Sequence, residues 1–211
     1  MSKKKKVLSN IDNLQYFTNE LSEKQIIDVN SDLKHRVFPR PFERLSTLRN
    51  YKNLVGIEIG VCGGEHAISL LRTFDISKIY LIDPYEMYET FMNSEGKNYG
   101  ESQLSLNETY IKAKKTLEPF EKKITWINKM AENAIDDIRY PFDFVYIDGN
   151  HDYEFVKRDI ETYYPHLKNG GMMGGHDFYN GFAETHNGVI RAVTGFSVSN
   201  NLQLFVEQPD W

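Results

Sequence analysis

Hydrophobic positions in this chain fall into short continuous runs separated by segments with a helical pattern. The continuous runs predict buried strands, at residues 54–59, 79–82, 124–127, 142–147 and 170–175. Segments that read as helices lie after these runs, at residues 67–74, 106–118, 132–138, 153–166 and 189–193. Strands alternating with helices form a parallel sheet that is covered on both faces and has right-handed crossovers. The pattern therefore predicts a doubly wound α/β fold.

The last part of the sequence predicts two further strands, which would complete a seven-stranded sheet. Residues 196–199 and 202–206 are short apolar runs. Asn200 and Asn201 lie between them and fit the turn of a hairpin. We therefore expect a mostly parallel sheet with a C-terminal antiparallel hairpin at or near one edge.

The first part of the sequence has a different pattern. Residues 11–35 read as helical, and Pro39 and Pro41 then break the pattern. We expect residues 1–43 to form a tail and a helical extension. Residues 44–211 would form the single main domain.

Composition excludes several functional classes. Asp and Glu outnumber Lys and Arg by 30 to 25, and four of the cations are Lys3 to Lys6, so the folded body lacks the basic surface of a nucleic-acid-binding protein. Cys62 is the single cysteine, which excludes an internal disulfide and a multi-cysteine metal site. No run approaches the roughly 18 apolar residues of a membrane span, and the lysines are not followed by a signal-peptide core. We therefore expect a cytoplasmic protein without a nucleic-acid or membrane partner.

Glycine and acidic residues follow the first two strands, where ligands bind in sheets of this kind. Gly60, Gly63 and Gly64 form a turn that lets a ligand approach the backbone, and Glu58 lies in the same segment. The spacing is neither that of a dinucleotide fingerprint nor that of a P-loop. Asp83 follows the second strand, where a carboxylate can accept hydrogen bonds from both hydroxyls of a ribose. Together these features point to a nucleoside ligand.

The ends of the next three strands carry further candidate residues. Met130 and Ala131 follow the third strand and either cover an adenine face or simply begin a helix. The fourth and fifth strands end in carboxylates and imidazoles, namely Asp148, His151, His176 and Asp177. Oxygen ligands suit Mg²⁺, Mn²⁺ or Ca²⁺, and the histidines favour a transition metal. Alternatively, His151 or His176 acts as a general base.

Residues 55–64 resemble the first motif of the class I methyltransferases that depend on S-adenosylmethionine (SAM), and residues 81–85 resemble their acidic second motif. Residues 142–151, followed by 170–177, are similar to a subgroup that includes the metal-dependent sugar O-methyltransferases of macrolide pathways and the cephalosporin-hydroxylase-like proteins. Residues 188–193 fit the closing helix of that subgroup. The resemblance covers residues 44–206 and implies a Rossmann-like fold.

The resemblance also implies how SAM would be bound. The turn Gly60, Val61, Cys62 and Gly63 would contact the methionine part, and Glu58 would support its ammonium group. Asp83 would hold the ribose, while Met130 and Ala131 would flank the adenine. These expectations, with Asp148 at the edge of the same pocket, give the cofactor-binding residues Glu58, Gly60, Val61, Cys62, Gly63, Asp83, Met130, Ala131 and Asp148.

A divalent cation, Mg²⁺ or Mn²⁺, is the second cofactor that the resemblance implies. Asp148 and Asp177 match metal-ligand positions, and His176 stands where those relatives usually carry a carboxylate. The expected metal ligands are therefore Asp148, His176 and Asp177, and the expected catalytic residues are His151, Asp148 and His176.

The function predicted from the sequence is methylation of a small molecule, with a sugar or other hydroxyl as acceptor. Residues 84–105 and the amino-terminal segment would determine which acceptor binds. The aromatic residues Tyr85, Tyr88, Phe91 and Tyr99 either shape a lid or pack the small core of their own loop. The amino-terminal helix is a candidate dimer element. The alternatives are a nicotinamide-dependent oxidoreductase, a non-catalytic nucleoside-binding module and a metal hydrolase.

Overall fold

The structure is a computed structural model that describes residues 48, 50–88, 102–139, 141–178, 187–207 and 209–211. The helix predicted at residues 11–35 and the lysine run lie outside these residues. The domain division after residue 43 therefore stays a prediction.

Five strands form one parallel sheet in the described part of the chain. They are β1 (Leu54–Ile59), β2 (Ile76–Ile82), β3 (Ile124–Ile127), β4 (Phe142–Ile147) and β5 (Leu167–Gly175). Their order across the sheet is β3-β2-β1-β4-β5, and every pairing is parallel. The predicted α/β, doubly wound architecture is confirmed.

Helices cover both faces of the sheet. They are α1 (Glu65–Thr73), α2 (Gln103–Leu117), α3 (Ala131–Ala134), α4 (Tyr153–Tyr163) and α5 (Gly188–Ser199). Side chains of α1 and α2 pack in one core, and those of α3, α4 and α5 pack in the other. No helix in these described segments is long and apolar enough to cross a membrane.

The strand order reverses between β1 and β4, and this reversal positions the site. The chain builds β2 and β3 on one side of β1, then crosses to build β4 and β5 on the other. The loops that leave β1 and β4 therefore diverge and leave a crevice at the carboxyl ends of the strands. The amide of Asp148 at the end of β4 donates to the carbonyl of Ile59 at the end of β1 at 2.7 Å.

The seven-strand count and the C-terminal hairpin are wrong. Residues 196–199 are the last turn of α5, and residues 202–206 form no regular element. The buried positions of α5 recur at helical spacing through Ser197, so packing on the sheet continues the helix beyond the predicted end. The sheet of the described residues therefore has five strands.

Asn200 and Asn201, predicted as a hairpin turn, instead end α5. Asn201 has φ +52, its amide donates to the carbonyl of Val198, and the amide of Leu202 donates to the carbonyl of Ser197. This is a Schellman motif with Asn in the left-handed position. Asn favours positive φ in helix caps and in hairpin turns alike, which explains the incorrect prediction.

Two glycines test the helical assignment of residues 196–199. Gly195 lies inside α5 and Gly170 lies in β5. At either position an added Cβ would meet no atom within 4 Å. They differ in backbone conformation, because only Gly170 has a positive φ, at +78. We expect Gly195→Ala to raise the free energy of unfolding by about 1 kcal/mol, because alanine favours a helix interior. Gly170→Ala should lower it by about 1 kcal/mol through backbone strain. Urea unfolding of both variants measures these changes, and a loss of stability in Gly195→Ala would contradict the helix.

Candidate functional site

A cavity of about 470 Å³ lies in the crevice at the carboxyl ends of β1, β2 and β4. Residues from the loops after all three strands line it, together with residues of α3 and α4. Its volume lies in the range of small-molecule and cofactor sites. Members of both predicted groups line this cavity: Gly60, Cys62, Asp83, Met130 and Ala131 of the nucleoside-binding group, and Asp148 and His151 of the carboxylate–imidazole group.

Gly60 brings the loop after β1 against the loop after β4. It has φ +81, and an added Cβ would lie 2.1 Å from the carbonyl oxygen of Asp148. Only glycine satisfies both the backbone conformation and this close approach. Gly60 and the exposed Cys62 line the cavity, whereas Val61 and Gly63 are buried behind them.

The carboxylate of Asp83 fixes the conformation of this glycine turn. Its Oδ2 accepts hydrogen bonds from the amides of Val61 and Cys62 at 2.9 and 3.1 Å. Its Oδ1 accepts from the amide of Tyr85 at 3.0 Å. Burial raises the pKa of Asp83 above its usual range, and the three backbone donors oppose this shift. Asp83 thus lines the cavity and joins the turns after β1 and β2.

Glu58 does not have the position predicted for it. It is only 1% exposed and is not among the described residues that line the cavity. Its Oε2 lies 3.4 Å from Nδ1 of His66 in α1, and that imidazole stacks on Tyr146 at 3.9 Å. Side chains alternate along a strand, so Glu58 faces α1 while its neighbours Ile57 and Ile59 face the opposite core. Direct contact with the ammonium group of a ligand does not fit this place.

The loop after β2 is held over the cavity by hydrogen bonds. Tyr85 is buried and its hydroxyl donates to the carbonyl of Cys62 at 2.7 Å. The side-chain Nε2 of Gln103 donates to the backbone carbonyl of Tyr85 at 2.9 Å, which joins the loop to α2. Tyr88 lines the cavity, and its hydroxyl accepts a hydrogen bond from Asn150 at 3.1 Å. Phe91 and Tyr99 of the predicted lid lie outside the described residues.

The carboxylates and imidazoles predicted from the strand ends converge at the rim. His151 Nε2 lies 2.8 Å from Asp177 Oδ2 and 3.8 Å from Asp148 Oδ1. His176 Nδ1 lies 3.1 Å from Asp177 Oδ1 and 3.5 Å from Asp148 Oδ1. The side chain of His151 is 40% exposed and that of His176 only 12%. His151 thus faces the cavity, and His176 supports the carboxylates from inside.

The two imidazoles lower the pKa of Asp177 at the rim. Burial alone would raise the pKa of Asp177, but hydrogen bonds and charges from His151 and His176 hold it well below its usual range. Burial disfavours the imidazolium of His151, yet the hydrogen bonds and charges of Asp148 and Asp177 outweigh it and raise its pKa to about 10. Without a bound cation, His151 is therefore a protonated imidazole paired with two carboxylates rather than a free base.

The donor set of the rim fits a divalent cation. Asp148, His151 and Asp177 each offer one ligand atom, and these atoms lie within 4.8 Å of one another. Two carboxylates with an imidazole suit Mn²⁺ or another transition metal better than Mg²⁺, which prefers oxygen alone. The geometry replaces the predicted third ligand His176 with His151, because His151 lies on the cavity side.

The end of the cavity between α3 and α4 contains residues that sequence reasoning missed. Met130 and Ala131 line it as predicted, but α4 adds Phe155 and Asp159. Asp159 is 4% exposed, and burial raises its pKa to about 7, with Glu132 adding to the shift and Arg158 opposing it. A signal existed in the sequence, because Asp159 interrupts an otherwise apolar stripe on α4.

Comparison with known proteins identifies the family. A family described as "Methyltransferase domain" matches residues 57–178, more than half of the chain. The chain belongs to this methyltransferase family. The predicted class I methyltransferase is therefore confirmed, while the narrower resemblance to sugar O-methyltransferases stays a prediction. No curated protein sequence matches this methyltransferase significantly.

Solved structures share the fold of this methyltransferase. A candidate methyltransferase from Streptococcus mutans in complex with SAH is 16% identical, with a TM-score of 0.52 over 75% of this chain and 81% of that chain. A candidate rRNA-methylase from Clostridium thermocellum is 13% identical, with a TM-score of 0.54 over 79% of this chain and 82% of that chain. An rRNA methylase from Streptococcus thermophilus is 14% identical, with a TM-score of 0.50 over 73% of this chain and 78% of that chain. At these identities the likeness establishes a Rossmann-like fold.

Asp83 acts as a clamp, because its carboxylate accepts hydrogen bonds from the backbone of two turns. Its substitution should therefore lower the stability of the ligand-free protein. In Asp83→Asn one oxygen becomes an NH₂ group that faces backbone donors, so we expect the free energy of unfolding to fall by about 1–3 kcal/mol. Asp75→Asn is the control, because Asp75 is 42% exposed and 3.7 Å from Lys52. It should change stability by less than about 0.5 kcal/mol. If Asp83→Asn unfolds in urea like the wild type, Asp83 is not a clamp.

The buried carboxyl of Asp159 predicts a pH-dependent stability. Its pKa rises from 3.8 in the unfolded chain to about 7 in the fold, so the native state binds the proton more tightly. Stability should therefore fall as pH rises from about 4 to 7, by a few kcal/mol at most. Asp159→Asn removes this dependence, so its advantage over the wild type should be larger at pH 8 than at pH 5. Urea unfolding at both pH values measures it, with the exposed Glu161→Gln as control, and an equal advantage at both would contradict the shift.

Proposed function

We propose that this methyltransferase transfers the methyl group of SAM to a hydroxyl of a small molecule, with a divalent cation at the rim. The observation that carries the proposal is the meeting of a glycine turn and a carboxylate–imidazole cluster at one cavity. Gly60 contacts Asp148, so the methyl donor and the acceptor hydroxyl would be held on neighbouring loops. The S. mutans neighbour in complex with SAH supports the choice of cofactor.

The cofactor would lie along the carboxyl ends of the strands. Gly60 and Cys62 leave room beside the turn for the methionine part. Asp83 accepts a single backbone hydrogen bond at Oδ1, which leaves a lone pair for a ribose hydroxyl. Met130 and Ala131 would flank the adenine at the far end.

Methyl transfer from a sulfonium needs an in-line arrangement of nucleophile, methyl carbon and sulfur, with reacting atoms about 3–3.5 Å apart. Asp148, His151 and Asp177 would hold the cation, which lowers the pKa of a bound hydroxyl and orients it. His176 hydrogen-bonds to Asp177 and keeps its carboxylate directed at the rim. While it held the cation, His151 would have no lone pair free to accept a proton, so the hydroxyl proton would leave to solvent.

The acceptor is proposed to be a small molecule rather than RNA. Two structural neighbours are an rRNA methylase and a candidate rRNA-methylase. Binding of RNA relies on Lys and Arg that neutralise phosphates, and this chain carries a net charge of −5. A sugar hydroxyl is the acceptor class that the sequence resemblance favours. Assembly into a homo-oligomer, expected from the amino-terminal helix, is a separate proposal.

Binding measurements on rim variants test the proposal. We expect the wild type to bind SAH and Mn²⁺, measured by calorimetry and by electron paramagnetic resonance. Asp177→Asn should weaken Mn²⁺ at least about 10-fold, because the site loses a charged ligand. SAH affinity should stay within roughly threefold, since the turn after β1 is unchanged. The exposed Glu154→Gln in α4 is the matched control and should change neither.

The acceptor class is tested by transfer of a labelled methyl group from SAM to a panel of simple sugars, phenols and amines. Incorporation into a sugar or phenol oxygen, lost in Asp177→Asn, is the expected result. Transfer to amines alone would contradict the O-methylation. A wild type that binds neither SAM nor SAH would overturn the proposed function as a whole.

A further inference from the structure

A buried carboxyl group on α4 opens into the cavity. Asp159 is 4% exposed and lines the cavity from α4. Among the described residues none donates a hydrogen bond to it; Arg158 and Glu132 act on it only through their charges. A carboxyl this buried is normally hydrogen-bonded, so its partner is expected in the cavity.

Asp159 lines a part of the cavity between α3 and α4, called here the slot, that also contains apolar residues. Phe155 lies one helical turn before Asp159, and both face the cavity. Ala131 lies opposite on α3, and its carbonyl accepts a hydrogen bond from Tyr163, one turn beyond Asp159, at 2.7 Å. Met130 adds a further apolar wall. The slot thus has apolar sides and a carboxyl group at its edge.

We propose that Asp159 selects adenine in this slot by hydrogen bonding to the amino edge of the base. The inference rests on the proposed function, because it takes the adenosine of SAM as the ligand. It assigns specificity for the base to a helix α4 residue rather than to the loop after β3.

The chemistry of the two groups is complementary. Adenine presents an N6 amino donor beside the N1 acceptor, and a protonated carboxyl accepts from the first while donating to the second. The raised pKa of Asp159, about 7, means that the carboxyl retains a proton near neutral pH. An unsubstituted purine keeps the N1 acceptor but carries only a hydrogen at position 6, so the carboxyl oxygen that accepts from the amino group of adenine would face no donor.

Glu132 is the rival residue at this end of the cavity. It also lines the cavity, but its Oε1 lies 3.0 Å from a guanidinium nitrogen of Arg158. The ion pair with Arg158 therefore already occupies one carboxylate oxygen of Glu132. No described residue donates a hydrogen bond to Asp159, so both of its oxygens are available to the edge of a base.

The test compares SAH with its analogue that carries unsubstituted purine in place of adenine and so lacks only the 6-amino group. Calorimetry on the full chain should show that the wild type prefers SAH by roughly 10-fold or more. Asp159→Ala should bring the two affinities within about threefold of each other. Asp159→Asn should keep the preference, because its amide also accepts and donates.

Two further variants and a stability readout make the comparison decisive. Glu161→Ala, on the exposed side of α4, should keep the wild-type preference. Glu132→Gln should also keep it. Thermal unfolding without ligand checks that each variant is folded. If Asp159→Ala does not fold, the ratio of the wild-type affinities for the two ligands and the result for Asp159→Asn still test the proposal.

The outcomes separate this proposal from the proposed function. Equal affinity of the wild type for the two ligands overturns the role of Asp159 while SAH binding stands. A preference that survives in Asp159→Ala, or that is lost in Glu132→Gln, also overturns it. Absence of SAH binding to the wild type would instead remove the proposed function. Loss of preference in Asp159→Ala alone, with retention in Asp159→Asn, supports the proposal.

Discussion

The close backbone contact between the ends of β1 and β4 is the constraint on which the rest of the site depends. Gly60, at φ +81, lies against the carbonyl of Asp148, and any side chain there would collide with it. Where the strand order of a parallel sheet reverses, the loops that leave the two neighbouring strands diverge and form a crevice. The contact between Gly60 and Asp148 joins these two loops. The turn proposed for the cofactor and the rim proposed for the cation are thereby held together.

Carboxyl groups at this cavity are tuned in opposite directions by their surroundings. Asp177 receives hydrogen bonds from two imidazoles, which keep its pKa low. Asp159 is buried among apolar groups without such donors, so its pKa rises to about 7. One site thus combines a rim carboxyl that ionises readily with a carboxyl on α4 that keeps its proton up to about pH 7. This division suits a ligand with a cationic centre at one end and a nucleobase at the other.

Much of the fold could be predicted from the sequence because the strands are buried on both faces. The continuous apolar runs of β1 and β4 have one interpretation in an α/β chain, and their polar ends followed from it. The C-terminal region was mispredicted because Asn200 and Asn201 satisfy a helix cap as well as a hairpin turn. Helix α5 was decided by packing on the sheet, which local patterns do not contain.

Residue types and their order along the chain determined the class of this protein, the glycine turn and the pairing of Asp148 with Asp177 at neighbouring strand ends. Parallel topology brings such ends to one edge, so their proximity follows from order alone. The tertiary structure decided the direction of each side chain. It turned Glu58 toward His66 and away from the cavity, placed His151 on the cavity side of the rim, and opened Asp159 to the cavity. These outcomes depend on strand alternation and helix rotation against a packed core, which distant segments of the chain set together.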